Sequence, residues 1–304
     1  MSNSDRLTSQ PGEKLPDLSM AQMVRKNAET YALTQTADIV MNKGFSAIFE
    51  ALHSNYGAVA VKLVRTRRVP HYLWIPILVR DWMNEKGILS QLDHPSIVKL
   101  KGSDAQLYLY SLYLDFIPFR DLSRWRNRDN GHYFAGERGD ARRVLDDMMA
   151  ALAHIKSRSI IHNDIKPSNI LYDPIKGAIL IDFGLAASSS NRKLCTGGTP
   201  WYVAPEYLSQ RRGPESDEYA LGVVMLYLLK ATPLSDTTEQ QWDISSVSQN
   251  PDAFSHMRTR TEKIARKREG LGSTSIEETT KHLLQPDPAK RLSVVSVITS
   301  GQTH

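Results

Sequence analysis

The chain has one cysteine, Cys195, so it cannot close a disulfide within itself. That excludes the small disulfide-stapled class and fits a reducing compartment. Long apolar runs are also missing. The longest, Val223 to Leu229 after Gly222, falls well short of the roughly 20 residues that a bilayer span needs. The first residues, Met1 to Asp17, are polar and lack the apolar stretch of a secretory signal. From these absences we expect an intracellular protein, cytoplasmic or nuclear, with no membrane span. Charge of one sign is scarce too: 38 Lys and Arg stand against 33 Asp and Glu, for a net charge of +5. Basic residues concentrate only in Arg65-Thr66-Arg67-Arg68 and from Lys263 to Arg268. Such clusters mark either a nucleic-acid or membrane surface or a solvated helix face; the second is commoner, and no nucleic-acid partner is expected.

Core material is ample, at 41% hydrophobic against 23% charged residues over 304 positions. Neither internal repeats nor low-complexity tracts interrupt it. Residues 1–33 are rich in Ser, Asp, Lys and Pro and are expected to be a mobile tail, in which Met20 to Leu33 could form one short helix. Residues 34–115 read as strands, with apolar runs at Ala58 to Val61 and Leu107 to Leu114. Between those runs, Ile77, Val79, Met83, Ile88, Leu89 and Leu92 follow helical spacing. Residues 116–300 are dominated by helices. Asp140 is a good N-cap for one that runs to about Lys156 and buries Val144, Leu145, Met148, Met149, Leu152 and Ile155. Asp217 to Lys230 is apolar nearly all round, as a buried central helix is. Further helices are expected near 253–268, 275–285 and 291–299.

The stretch Ile161-His162-Asn163-Asp164-Ile165-Lys166-Pro167-Ser168-Asn169-Ile170-Leu171 is followed by Asp182-Phe183-Gly184 and then Ala204-Pro205-Glu206. In that order and spacing the three segments resemble the protein-kinase catalytic loop, metal-binding loop and closing motif. The resemblance runs from about residue 34 to 299. It implies an α+β bilobal protein-kinase fold, with a small β-rich N-lobe carrying one main helix (34–115) and a larger helical C-lobe (116–300). Phosphoryl transfer needs an in-line hydroxyl, neutralised phosphate charge and positioned metal ions. By resemblance Asp164 is the catalytic base, and Lys166 lies near the transferred phosphate as in serine/threonine kinases. Asn169 and Asp182 supply hard oxygen ligands to Mg²⁺. Without the family pattern, the two aspartates would read as turn or cap residues.

Lys62, after Ala58 to Val61, resembles the lysine that holds the phosphates of ATP, with Glu85 as its partner. A surface lysine after a strand is the plainer reading. By the same resemblance Leu114 stands as gatekeeper, and the backbones of Asp115 and Ile117 are expected to meet the adenine edge. Ile48, Ala60 and Leu171 wall the ring, although a core would contain the same residue types. Asp121 is placed for a ribose hydroxyl or equally for a helix N-cap. Thr199, in Gly198-Thr199-Pro200-Trp201-Tyr202, is expected to hydrogen-bond toward Asp164 and Lys166. Asp217 resembles the aspartate that anchors the catalytic loop, and Arg291 the arginine that pairs with Glu206. These last features argue against small-molecule kinases of the aminoglycoside or choline type.

The departures are also specific. Where the family's phosphate loop carries three glycines, this chain has Met41, Lys43 and Ser46, with Gly44 as the glycine left near the nucleotide. Asn163 replaces the arginine that pairs with an activation-loop phosphate, and the usual phosphosite aligns with Cys195. Ser168 stands where arginine-directed kinases often place a glutamate. The expectation is therefore a serine/threonine protein kinase that uses ATP and Mg²⁺ on a protein substrate, independent of phosphorylation at the usual site. The alternative is a pseudokinase, acting as a nucleotide-binding or scaffold module. Substrate, upstream control and oligomeric state carry no sequence signal.

Overall fold

The computed structural model describes residues 31–40, 46–65, 74–106, 109–190, 197–209, 211–235 and 242–294. They form two compact units. One holds the chain up to Ser90 together with Val98–Pro118, and the other holds Gln91–Ile97 with everything from Phe119 onward. The sequence placed a single junction after residue 115. The segment Gln91–Ile97 belongs with the second unit for a backbone reason that hydropathy does not register. The Leu180 N–H donates to the Ser96 carbonyl at 2.9 Å, and Arg158 Nε donates to the Gln91 carbonyl at 2.8 Å.

In the first unit the elements are β1 (Leu33–Val40), β2 (Ser46–His53), β3 (Gly57–Arg65), α1 (Trp74–Leu89), β4 (Leu100–Gln106) and β5 (Leu109–Asp115). The strands pair antiparallel in the order β1-β2-β3-β5-β4. The β2–β3 turn closes on Gly57 at φ +73°, a left-handed conformation that favours glycine. Period-two alternation sends Phe49, Ala51, Val59 and Val61 to one buried cluster with Leu33 and Tyr113. Tyr31, in the expected tail, packs on that cluster and donates its hydroxyl to Asp104 at 2.6 Å. In α1 the buried stripe is Trp82, Glu85, Ile88 and Leu89, while Ile77 and Met83 are exposed. The expected stripe is corrected at Ile77 and Met83. Trp82 takes the inward position because its larger ring packs against Tyr110, with centroids 5.4 Å apart.

The second unit contains β6 (Arg120–Asp121), α2 (Arg138–Ser157), β7 (Ile160–Ile161), β8 (Ile170–Asp173), β9 (Gly177–Leu180), β10 (Ala187–Ser188), α3 (Pro214–Leu228), α4 (Pro251–Glu269) and α5 (Ser275–Leu283). Its strands make two small antiparallel sheets, β6-β8-β9 and β10-β7. α2 buries the expected face. Its N-cap is Glu137 rather than Asp140. Asp140 sits inside the first turn, where its carboxylate accepts the Glu137 N–H at 2.7 Å and the Tyr172 hydroxyl at 2.6 Å. α3 is buried along its whole length from Ser216 to Leu228. A Cβ on its Gly222 would come within 2.8 Å of the Leu284 side chain, so glycine lets the chain after α5 lie close. The helix expected over 291–299 lies almost wholly outside the described residues. No described helix is long and apolar enough to cross a membrane.

Candidate active site

α3 positions the site. Asp217, in its first turn and 4% exposed, accepts the backbone N–H groups of His162 at 2.6 Å and Asn163 at 2.9 Å. Burial pushes the Asp217 carboxyl up, against the opposing pull of His162 and of those two N–H donors. The loop leaving β7 is thus tied to a rigid helix at the two residues before Asp164. Asn163 is held at φ +69°, a left-handed conformation that asparagine tolerates better than most residues.

Four side chains converge there. Asp164 Oδ1 accepts the Thr199 hydroxyl at 2.8 Å, and its Oδ2 is ion-paired with Lys166 Nζ at 2.7 Å. Lys166 Nζ also donates to Thr199 Oγ1 at 2.8 Å, which closes a three-residue ring. Asn169 Nδ2 donates to both the carbonyl and Oδ2 of Asp164, at 2.9 and 3.1 Å. A carboxylate held by a lysine, a hydroxyl and an amide is fixed in direction, as the orientation of an attacking hydroxyl requires.

Asn169 ends the turn Pro167–Asn169, and its carbonyl accepts the Ile181 N–H at 2.9 Å, which brings it beside Asp182. Asp182 adopts φ +61°. Phe183, fully buried, meets the His162 ring edge-on at 4.7 Å, while His162 Nε2 lies 3.1 Å from the Ile181 carbonyl oxygen. The Asn169 amide nitrogen is committed to Asp164. One carboxamide and one carboxylate oxygen are a hard donor set that fits Mg²⁺ sharing phosphate and water ligands. Among the described residues no group of three or more His, Cys, Asp or Glu is arranged to hold a metal, so a closed zinc-type cage is not an alternative there.

In the first unit, Lys62 Nζ meets Glu85 Oε1 at 2.7 Å, with the two side chains 14% and 6% exposed. Ile48 lies opposite Lys62 across β2 and β3, and Ala60 precedes Lys62 by two residues. The three therefore share one sheet face, half-buried between fully buried neighbours. Asp115 uses its N–H on the Lys99 carbonyl at 2.9 Å and its carboxylate on Lys101 at 2.8 Å. Ile117 follows in the connection after β5.

Two nucleotide candidates belong to the second unit. Leu171 on β8 is half-buried between buried Ile170 and Tyr172. Asp121 does serve as an N-cap: it accepts the Ser123 N–H at 3.0 Å and pairs with Arg124 at 3.0 Å. Gly44, with Met41 and Lys43, lies outside the described residues, as does Cys195.

Sequence reasoning missed Arg212. Its guanidinium donates to the Gly197 carbonyl at 2.7 Å and to the Asn163 carbonyl, joining the segment before Thr199 to the loop before Asp164. Its carbonyl acceptors leave no trace in residue type, so no motif announces it. Asn163 adds a second tie through its Nδ2, which donates to the Leu185 carbonyl at 2.9 Å. Below them, Arg291 grips Glu206 with two parallel hydrogen bonds of 2.8 and 3.0 Å, both side chains nearly excluded from water.

Comparison with known proteins places these features in context. The profile of the protein kinase domain family matches residues 42–301. Over 231 residues the chain is 29% identical to a Drosophila willistoni protein named serine/threonine-protein kinase PLK4, covering 74% of this chain and 28% of that one. It is 31% identical over 216 residues to calcium/calmodulin-dependent protein kinase type 1B of Rattus norvegicus, covering 69% of this chain and 59% of the relative. A Caenorhabditis elegans protein named cAMP-dependent protein kinase, catalytic subunit-like, is 27% identical over 247 residues, covering 79% and 60%. The chain thus spans between about a quarter and three fifths of the length of these relatives.

Proposed function

Because this chain belongs to the protein kinase domain family, we propose that it transfers the γ-phosphoryl group of ATP to a serine or threonine hydroxyl of a protein. The observation that carries this reading is the closed ring of Asp164, Lys166 and Thr199. It presents one carboxylate to orient the acceptor hydroxyl and one cation for charge that develops on the phosphoryl oxygens. Asp164 takes the acceptor's proton, and Lys166 stabilises the group in flight. Thr199 holds the two in register.

Asn169 and Asp182 would hold Mg²⁺, which when bound neutralises phosphate charge. Lys62, oriented by Glu85, would take the non-transferred phosphates. Ile48, Ala60 and Leu171 would supply apolar contact to the base, and the backbones of Asp115 and Ile117 its polar edge. Asp121 and Gly44 are assigned to the ribose and phosphates on the family pattern alone. The same reading makes a protein the substrate and the cell interior the location.

The replacement of loop glycines by Met41, Lys43 and Ser46 favours a second reading, a pseudokinase that binds partners through the same fold. Radiolabel transfer from Mg-ATP to a generic acceptor or to the protein itself separates the two. We expect signal from the wild type and none from Asp164→Ala or Lys62→Ala; equal signals from all three would sink the enzyme reading. A thermal-shift titration with Mg-ATP then shows whether the altered loop still admits nucleotide.

A further inference from the structure

Four arginines, Arg120, Arg124, Arg126 and Arg128, follow β5 with other residues between them, and the site above uses none of them. Arg124 is the best placed. It ends the turn Leu122–Arg124, which buries Leu122 and packs against the turn Pro167–Asn169. Asn169 is hydrogen-bonded to Asp164, so the backbone of Arg124 stands one packing layer from the carboxylate that meets the acceptor. The Tyr227 hydroxyl of α3 pins this region by donating to the carbonyls of Leu122 at 3.2 Å and Trp125 at 2.9 Å.

The side chain of Arg124 is held in one direction and left open at its end. Its Nε pairs with Asp121 Oδ2 at 3.0 Å, and Asp121 Oδ1 is taken by the N–H and hydroxyl of Ser123. The Arg124 side chain is 62% exposed, and among the described residues its two terminal nitrogens meet no acceptor. A guanidinium fixed through Nε presents those nitrogens as a fork that fits one carboxylate.

Arg126 is a neighbour. Burial raises the pKa of the Tyr227 hydroxyl, and both Arg126, which opposes the rise, and Asp121, which adds to it, act on that same oxygen. Arg126 is half-buried, its Nε is sealed from water without an acceptor, and among the described residues no carboxylate pairs with it. Such a cation is less well hydrated than a free one and gains more from an arriving anion. Ser168, in the middle of the turn against which Arg124 packs, is neutral and repels no carboxylate.

We propose that Arg124 and Arg126 receive an aspartate or glutamate of the protein substrate, a few residues from the acceptor hydroxyl. The inference rests on the kinase reading and adds a substrate class to it: serines and threonines in acidic surroundings. An extended chain advances about 3.3–3.6 Å per residue, so a side chain two to four positions from the acceptor reaches from Asp164 across the Pro167–Asn169 turn.

The test uses acceptor peptides with one aspartate moved through the positions on either side of the target serine, each compared with alanine and lysine there. At one position aspartate should raise kcat/KM about fivefold or more over alanine, through KM, as a well-oriented exposed ion pair does. Lysine should lower it. Arg124→Glu, a change at an exposed side chain, should reverse the order and make the lysine peptide the better substrate. Arg126→Gln should shrink the aspartate advantage without reversing it. Arg258→Glu, exposed on α4, should keep it in full. Equal rates for all peptides, or an aspartate advantage that survives Arg124→Glu, overturns the proposal.

Anisotropy of a fluorescent peptide with alanine in place of the target serine separates this idea from the kinase reading. Tighter binding of its aspartate form, reversed by Arg124→Glu, with no peptide phosphorylated under any condition, supports the arginine pair and removes the kinase reading. Equal binding of the aspartate and alanine forms, with phosphorylation intact, removes the arginine pair and leaves the kinase reading standing. Tighter binding of a single-stranded RNA than of any peptide, lost in Arg124→Glu, overturns the proposal in favour of a nucleic-acid surface.

Discussion

Asn163 Nδ2 donates to the Leu185 carbonyl at 2.9 Å, so a neutral side chain fastens the catalytic loop to the segment after Asp182-Phe183-Gly184. In most regulated relatives of this pattern an arginine here waits for a phosphate. A neutral asparagine cannot pair with one, which is the basis for the expectation that follows. Phosphatase treatment should therefore leave the rate of phosphoryl transfer unchanged, measured on the same preparation before and after; a collapse in rate would refute the latch. The backbone angle adds a stability test. Asn163→Ala loses the bond and also meets the left-handed penalty of about 1–2 kcal/mol, whereas Asn163→Gly loses only the bond. Urea denaturation should rank alanine below glycine by about 1 kcal/mol.

Arg212 holds the Asn163 and Gly197 carbonyls with one planar fork. Arg212→Lys keeps the charge but not the fork, and Arg212→Ala removes both. At about 1.5–3 kcal/mol for a hydrogen bond from a charged donor, kcat should fall about tenfold or more in the alanine variant and less in the lysine variant. The ATP KM should stay near its wild-type value in both. An effect confined to that KM would show that Arg212 does not position the loop.

Glu206 and Arg291 are buried as a bidentate pair. Removing one partner leaves the other charge without compensation, so Arg291→Ala should cost about 3–5 kcal/mol. Replacing both by methionine should cost clearly less, because the desolvated charges disappear together. Chemical denaturation of the three proteins checks the order, and equal losses in both variants would show that the pair acts only through packing.

His94 and His154 lie ring to ring at 5.0 Å, and burial is the main cause that lowers both below the ordinary histidine range. Arg158 also disfavours their charged forms, while Asp147 near His94 and Asp93 near His154 oppose it. The sign follows from proton counting. Below the unfolded value of about 6.5 the unfolded chain takes up protons that the folded chain refuses, so stability is lost as pH falls from there. Melting temperature should fall between pH 7 and pH 5.5, and less steeply when both histidines are replaced by phenylalanine. Parallel curves would place the sensitivity elsewhere.

Much of the site was legible because its residues are close in the chain or tied to a fixed order of segments. Asp164, Lys166 and Asn169 fall within one loop, and Thr199 and Asp217 meet that loop as their surrounding residues imply. Lys62 and Glu85 were readable through the family resemblance alone, since the residues by themselves give a surface lysine after a strand; the two side chains do meet. What escaped has a common physical cause. Arg212 bonds to backbone carbonyls, which every residue carries, so its partners are invisible in residue type. Asp140 was read as a cap from its chemistry, but a carboxylate serves equally well inside the first turn when the chain enters one turn earlier. Met83 was given an inward position by period alone, and the larger ring of Trp82 took it.

The anchoring of Asp217 in α3 bears on how the site comes apart. Every residue of that helix from Ser216 to Leu228 is shielded, and the amides of His162 and Asn163 end on its carboxylate. Those two amides should exchange slowly with solvent hydrogen, because freeing them breaks two hydrogen bonds to a buried carboxylate. The loop that carries Asp164 is thereby coupled to the stability of α3 at its first turn. Thermal inactivation and unfolding of that unit are then expected to coincide when followed on one sample.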